Sequence, residues 1–194
     1  MTILRNCINS IFAGVMIAVG AITYLNCPNR IVGAFLFPIG LIVIMEFGFR
    51  LYTGCVGYAR SKNDVFHLLI TFLMNAVGCA FVMCVPTQGA ESVWLSRLDT
   101  SLWMVFAKGF ICGILIFACV FKRDVLITMI AIPAFIICGA EHSIADICFM
   151  FAAQHFTIEG VIFILVVAMG NATGSLVVSL WMALSNKTNR RDTK

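Results

Sequence analysis

Six long apolar segments dominate the sequence and restrict what the chain can fold into. They cover about residues 8–25, 31–58, 65–85, 102–121, 125–153 and 160–184. A helix needs about 20 apolar residues to cross the hydrocarbon core of a bilayer. The runs are too long and unbroken for the alternating pattern of an outer-membrane β-barrel. The sequence therefore predicts an all-α membrane protein with six transmembrane helices, forming a single transmembrane domain over residues 1–194.

The composition excludes several other classes of protein. Hydrophobic residues make up 61% of the chain, against 13 basic and 9 acidic residues, and the mean hydropathy is +1.02. So few charges cannot coat a soluble enzyme, and so apolar a chain is not disordered. The net charge of +4 is spread between apolar runs, which argues against nucleic-acid binding. The nine cysteines are odd in number and form no CxxC motif, so neither disulfides, metal nor cofactor are expected.

The basic residues predict the orientation of the chain. If both termini lie on one side, that side carries Arg5, Arg60, Lys62, Lys122, Arg123, Lys187, Arg190, Arg191 and Lys194, and the other side carries only Arg30 and Arg97. Cytoplasmic loops are rich in Lys and Arg. We therefore expect a multi-pass protein of the inner (plasma) membrane with both termini cytoplasmic and a basic cytoplasmic tail at 186–194.

A short motif recurs in the two halves of the chain. Asn-Ala-x-Gly occurs at 75–78 and again at 171–174, each time after a long segment that is interrupted, first at 48–51 and then at 139–142. Three spans per half force the halves into opposite orientations. The pattern predicts two inverted three-helix repeats, about 8–85 and 102–185, with broken second and fifth helices. Such repeats place a site near the bilayer midplane, where the broken helices meet.

Ionisable residues at membrane depth are candidates for function. They are Glu46, Arg50, Lys108, Glu141, His142 and Asp146. One interpretation is structural: Glu46 pairs with Arg50 four residues later, and Glu141 either caps the half-helix near His142 or pairs with Arg50. The other interpretation places them in a pore. Lys108 alternatively snorkels or lines an oligomer interface.

His142 is the strongest pore candidate among these residues. It titrates nearest to neutral pH and lies at a helix break, where unpaired backbone N–H groups attract anions. Thr53 closes the other break, and its hydroxyl is placed to bond the imidazole or a substrate. Leu41, Leu51 and Phe135 are either pore constrictions or ordinary helix packing. Apolar constrictions resist ions, so this path suits a neutral acid or a largely dehydrated anion.

Two other functions stay open at this point. One is a channel for a neutral solute of the urea or ammonia type. The other is an intramembrane enzyme or cofactor protein that uses Glu141, His142 and Asp146, which offer fewer ligands than metal or haem sites usually need.

Several motifs resemble the formate/nitrite transporter family. Residues 139–145, Gly-Ala-Glu-His-Ser-Ile-Ala, are similar to its G-x-E-H-S-x-A signature, and 48–54 to the signature of its first break. Residues 170–174 are similar to its G-N-x-x-G, 75–78 to the counterpart in the third helix, and 108–113 to its G-I-x-C-N, with Gly113 in place of the asparagine. The resemblance covers about residues 10–185.

The resemblance implies an aquaporin-like fold, a homopentamer with one pore per protomer, and no enzymatic activity. It implies passage of formate, nitrite, hydrosulfide, acetate or lactate, often with a proton. It assigns the central pore histidine to His142, its partner to Thr53 and the apolar constrictions to Leu41, Leu51 and Phe135, and it matches Asn75 and Asn171 to the family's asparagines. Arg97 falls where the family has a vestibule lysine.

Two departures from the family pattern bear on the substrate. Arg50 stands where the family has Asp or Glu, and Asp146 stands where it usually has Asn. Replacing a carboxylate by a guanidinium changes the local charge by about two units. These departures do not change the expected fold. They leave three alternatives for the transported species: a small anion, another weak acid or a neutral solute.

Overall fold

The computed structural model describes residues 2–84, 87 and 89–192, and helices make up most of this part of the chain. The elements are α1 Thr2–Asn26, α2 Arg30–Leu36, α3 Ile39–Phe47, α4 Tyr52–Cys55 with a following 3₁₀ turn Val56–Tyr58, α5 Lys62–Val82, α6 Ala90–Leu98, α7 Leu102–Lys122, α8 Val125–Ile137, α9 Ser143–Ala153 and α10 Ile158–Asp192. The described residues contain no β-strand. The all-α architecture predicted from the sequence is confirmed.

Five stretches among the described residues are long and apolar enough to cross a membrane. They are Ile3–Asn26, Arg30–Phe47, Lys62–Val82, Leu102–Lys122 and Ile158–Ser185. The predicted fifth segment, 125–153, consists instead of the two shorter apolar helices α8 and α9. The chain is thus a multi-pass membrane protein, while the count of six spans stays a prediction.

Glycines end the helices that precede both breaks. Helix α3 stops at Gly48, whose φ of 67° lies in the left-handed region, and α8 is followed by Gly139 with a φ of 71°. Glycine adopts this conformation without the steric cost that a Cβ brings. The chain therefore turns out of each helix at a glycine before the next short helix begins.

Other glycines allow the long helices to pack at close range. A Cβ added to Gly14 of α1 would lie 2.0 Å from the carbonyl oxygen of Asn75 in α5. A Cβ added to Gly113 of α7 would lie 2.2 Å from the carbonyl oxygen of Asn171 in α10. Small residues let helix backbones approach in this way within membranes. The α1–α5 and α7–α10 pairs hold the two asparagines of the repeated motif.

The structure adds two features to the sequence prediction. The stretch 87–100 contains helix α6, whose Trp94 is fully buried and stacks edge-on against Phe163 at 5.6 Å between ring centroids. Helix α10 continues through Asp192, so the predicted tail is helical over residues 186–192, while its cytoplasmic location stays a prediction. The predicted end of the third segment at Val85, and residues 193–194 of the tail, lie outside the described residues.

Candidate pore site

The two breaks meet at a buried hydrogen bond between Thr53 and His142. The distance from Thr53 Oγ1 to His142 Nε2 is 2.9 Å, and both side chains are almost completely buried. His142 also forms the N-cap of α9, because its Nδ1 accepts the backbone N–H of Ala145 at 3.1 Å. A backbone amide only donates, so Nδ1 carries a lone pair, and the neutral ring holds its hydrogen on Nε2. His142 therefore donates to Thr53 and, in place of Glu141, caps the half-helix.

Asn171 holds the second break in place. Its Oδ1 accepts the backbone N–H of Ser143 at 2.9 Å, and its Nδ2 donates to the carbonyls of Gly109 at 2.8 Å and Glu141 at 2.9 Å. One primary amide thus satisfies backbone donors and acceptors that the interrupted helix leaves open. Because both amide hydrogens are engaged, Asn171 positions the residues around His142.

Asn75 makes the corresponding bonds at the first break. Its Oδ1 accepts the backbone N–H of Tyr52 at 2.9 Å, and its Nδ2 donates to the carbonyls of Ser10 at 2.6 Å and Arg50 at 2.9 Å. The two asparagines therefore bond in the same pattern to the break and to the neighbouring long helix. Asn75 is a positioning residue in the same sense as Asn171.

Arg97 is engaged by carboxylates and does not stand as a free vestibule cation. Its Nη1 pairs with Glu141 and lies 3.1 Å from Asp146 Oδ1. The guanidinium also lies over the ring of Phe149, 4.5 Å from the centroid. Lys108 approaches Glu141 at 4.0 Å. Glu141 therefore pairs with Arg97 and Lys108. It does not pair with Arg50, which the sequence offered as a partner.

A small cavity borders His142 on this charged side. Its volume is about 50 Å³, enough for one water molecule or a similarly small solute. We call it the His142 cavity; it is lined by Tyr24, Phe37, Arg97, Phe135, Ile136, Gly139, Ala140, Glu141, His142, Ala145, Asp146 and Phe149. Tyr24 lies near the C-terminal end of α1, so the cavity faces away from the N-terminus.

A second cavity, which we call the Leu51 cavity, opens towards the other end of α1. Its volume is about 230 Å³, and it is lined by Ile44, Met45, Gly48, Phe49, Arg50, Leu51, Gly54, Cys55, Tyr58, Val120 and Arg123. Two arginines and no carboxylate occur among these described lining residues. The backbone N–H of Arg50 donates to Asn9 near the start of α1, at 3.2 Å. The Leu51 cavity is therefore cationic.

Arg50 has no ion-pair partner within the described part of the chain, and its buried Nε lacks a hydrogen-bond acceptor there. The considered pair with Glu46 does not form, because α3 ends at Phe47 and Gly48 turns the chain away. Glu46 is exposed instead. At the level of the sequence, Arg123 served only to predict the orientation of the chain. Its place in the lining of the same cavity as Arg50 was not predicted, because no sequence spacing links the two residues.

The three candidate constriction residues are all buried. Phe135 lines the His142 cavity, with its ring centroid 6.4 Å from that of His142. Leu51 lines the second cavity, directly before the α4 turn that carries Thr53. Leu41 lines neither of these two cavities and belongs to the buried apolar core. Among the residues described, no group of three or more His, Cys, Asp or Glu side chains is arranged to hold a metal ion.

Comparison with known proteins places this arrangement in a family. The model of the formate/nitrite transporter family matches residues 1–185. The chain belongs to the formate/nitrite transporter family. A search of curated protein sequences finds no match.

Solved structures share the fold of this formate/nitrite transporter family member. One, described as an FNT family ion channel, is 24% identical, with a TM-score of 0.82 over 93% of this chain and 90% of that one. Another, described as a pentameric formate channel with formate bound, is 19% identical, with a TM-score of 0.81 over 95% of this chain and 98% of that one. Arg50 and Asp146 thus lie within a conventional fold for the family.

Proposed function

We propose that the protein is a transmembrane channel for a small monovalent anion or its conjugate weak acid, such as formate, nitrite, hydrosulfide or a short carboxylate. The buried Thr53–His142 pair carries this proposal, since it lies where the two breaks of a formate/nitrite transporter family chain meet, between two cavities. The proposal includes no enzymatic step and no cofactor.

The central pair supplies hydrogen bonding within an apolar passage. Leu51 and Phe135 flank the pair, and apolar constrictions disfavour hydrated ions. Thr53 accepts a hydrogen bond from His142, so its own hydroxyl proton is available to an entering anion. A small solute that sheds its water at the constrictions regains a hydrogen bond here. The nearby Asn75 and Asn171 keep the two breaks in register for this contact.

Anions gather at the Leu51 cavity. Arg50 and Arg123 line it without a carboxylate among its described lining residues, and a cleft of one sign raises the local concentration of counter-ions. Under the proposed orientation, with both termini in the cytoplasm of a cell bounded by this inner membrane, the Leu51 cavity is the cytoplasmic entrance. Arg97 and Lys108 belong to the opposite entrance.

We include the architecture of the channel in this proposal. The matched hydrogen bonds of Asn75 and Asn171 support two inverted three-helix repeats within six transmembrane helices. Likeness to a pentameric formate channel supports a homopentamer in the lipid membrane, with one pore in each protomer.

A flux panel tests the proposal. Purified protein in liposomes is compared with empty liposomes for uptake of formate, nitrite, acetate, lactate, hydrosulfide and urea. We expect uptake of at least one weak acid, strong reduction in His142→Ala, and normal uptake in His155→Ala, a matched change at a histidine outside the site. Uptake of urea alone would support the neutral-solute alternative. Equal uptake by His142→Ala and the wild type would contradict the role of the central pair.

A further inference from the structure

Three charged side chains line the His142 cavity, and a fourth, Lys108, lies 4.0 Å from one of them, Glu141; together the four charges balance. Arg97 and Lys108 are positive, whereas Glu141 and Asp146 are negative. Nη1 of Arg97 contacts both carboxylates, and hydrogen bonds between ionised groups of this kind are strong. A guanidinium paired with two carboxylates retains little field for attracting an anion. This entrance therefore differs from the cationic Leu51 cavity.

Asp146 presents an acceptor that has no donor. Its side chain is completely buried and lines the His142 cavity, and only Oδ1 reaches Arg97. Oδ2 is buried without a hydrogen-bond partner among the described residues. Buried polar atoms in folded proteins are nearly always satisfied. An unpartnered carboxylate oxygen is satisfied by a hydrogen bond from an O–H or N–H group, and its charge repels a carboxylate.

We propose that Asp146 is a specificity-determining residue that makes the His142 entrance select the protonated weak acid over its anion. Oδ2 accepts the hydrogen bond of the acid's O–H group, while Oδ1 and Glu141 keep Arg97 from binding the anion. This inference rests on the proposed function, because it names the form of the cargo that the entrance admits. The formate/nitrite transporter family usually has an asparagine at the position of Asp146. An asparagine there would leave the cluster with one net positive charge.

The other titratable groups near Asp146 do not change this balance. They are Tyr24 of α1, Cys112 of α7, His142 and Cys148 of α9. The imidazole already donates to Thr53 and accepts from Ala145, so its neutral form fits the bonds that it makes. The charge of the entrance is therefore set by the two cations and two carboxylates.

Nitrate binding provides a test that does not depend on flux. Nitrate has no neutral form at working pH, and Asp146→Asn keeps the shape of the side chain while it removes the charge. The thermal unfolding of the purified protein is followed against nitrate concentration, since a ligand of the folded state stabilises it. Arg50 and Arg123 are present in every variant, so their contribution cancels in the comparison.

We expect Asp146→Asn to bind nitrate about tenfold more tightly than the wild type, because one uncompensated charge lies within several ångströms of the ligand. Asp99→Asn, which removes an exposed carboxylate beside α6, should match the wild type. Adding Arg97→Gln to Asp146→Asn should abolish the gain. Equal nitrate affinity in Asp146→Asn and the wild type would overturn the inference.

Flux of the wild type gives a second arm that needs no variant to fold. At fixed total formate, uptake through the His142 entrance should rise about tenfold per unit fall in pH while the neutral acid is the minor form. Uptake that follows the anion concentration would also overturn the inference. Absence of weak-acid uptake at every pH would contradict the proposed function, whereas the nitrate comparison would still decide whether Asp146 neutralises the entrance.

Discussion

Replacing Asn171 by alanine removes the amide that holds the second break. Two groups of the break, the Ser143 N–H and the Glu141 carbonyl, lose their side-chain partner. The Gly109 carbonyl lies within α7 and keeps its intrahelical bond. A buried polar group left without a partner costs about 1–3 kcal/mol. We therefore expect Asn171→Ala to lower the free energy of unfolding by about 2–6 kcal/mol.

The assay is equilibrium unfolding in mixed detergent micelles, followed by circular dichroism. Thr173→Ala is the matched control, because Thr173 is exposed on the same helix and its hydroxyl donates to the Met169 carbonyl one turn earlier. Asn171→Asp separates the size of the side chain from its hydrogen bonding. It keeps an oxygen that accepts the Ser143 N–H, but it replaces the NH₂ donor by a second oxygen that faces the carbonyls of Gly109 and Glu141. An Asn171→Ala effect within about 0.5 kcal/mol of Thr173→Ala would refute the reasoning.

Three further predictions follow from the packing and from the site. Gly113→Ala places a methyl group 2.2 Å from the Asn171 carbonyl oxygen, so we expect loss of the assembled species in size-exclusion chromatography; an unchanged profile would contradict the close packing of α7 and α10. Thr53→Val removes the hydroxyl that meets His142 and should reduce weak-acid flux about tenfold, whereas Thr53→Ser retains the hydroxyl and should stay near the wild type. Arg123→Gln should reduce uptake severalfold at low formate and leave it unchanged at saturation, as weaker capture at the Leu51 cavity requires; equal uptake at low formate would argue against capture there.

The sequence predicted the positions of the breaks because their cause is local. Gly48 and Gly139 take the left-handed conformation, and that preference belongs to the residue itself. The repeated asparagine motif was visible as well. Its bonding was not, because Asn171 reaches Gly109, 62 residues earlier in the chain, and no short pattern encodes that contact.

The charge pairs could not be predicted from spacing. Glu46 and Arg50 are four residues apart, but the end of α3 lies between them, so a helical rule does not apply. Arg97 meets Asp146 across 49 residues, and α6 carries it there. Helix α6 is not one of the six predicted segments, because four polar residues interrupt its nine-residue length and leave no long apolar run. Tertiary packing decides these contacts.

The central claim is that the transported solute crosses within each protomer, past Leu51 and then past the Thr53–His142 pair. Formate flux through Leu51→Trp tests this most directly, because indole is larger than the leucine side chain and fills the passage beside the Leu51 cavity. Leu73→Trp adds the same ring to an exposed face of α5 and is the control. With both variants assembled, we predict loss of flux in Leu51→Trp and full flux in Leu73→Trp. Full flux in both would contradict the account.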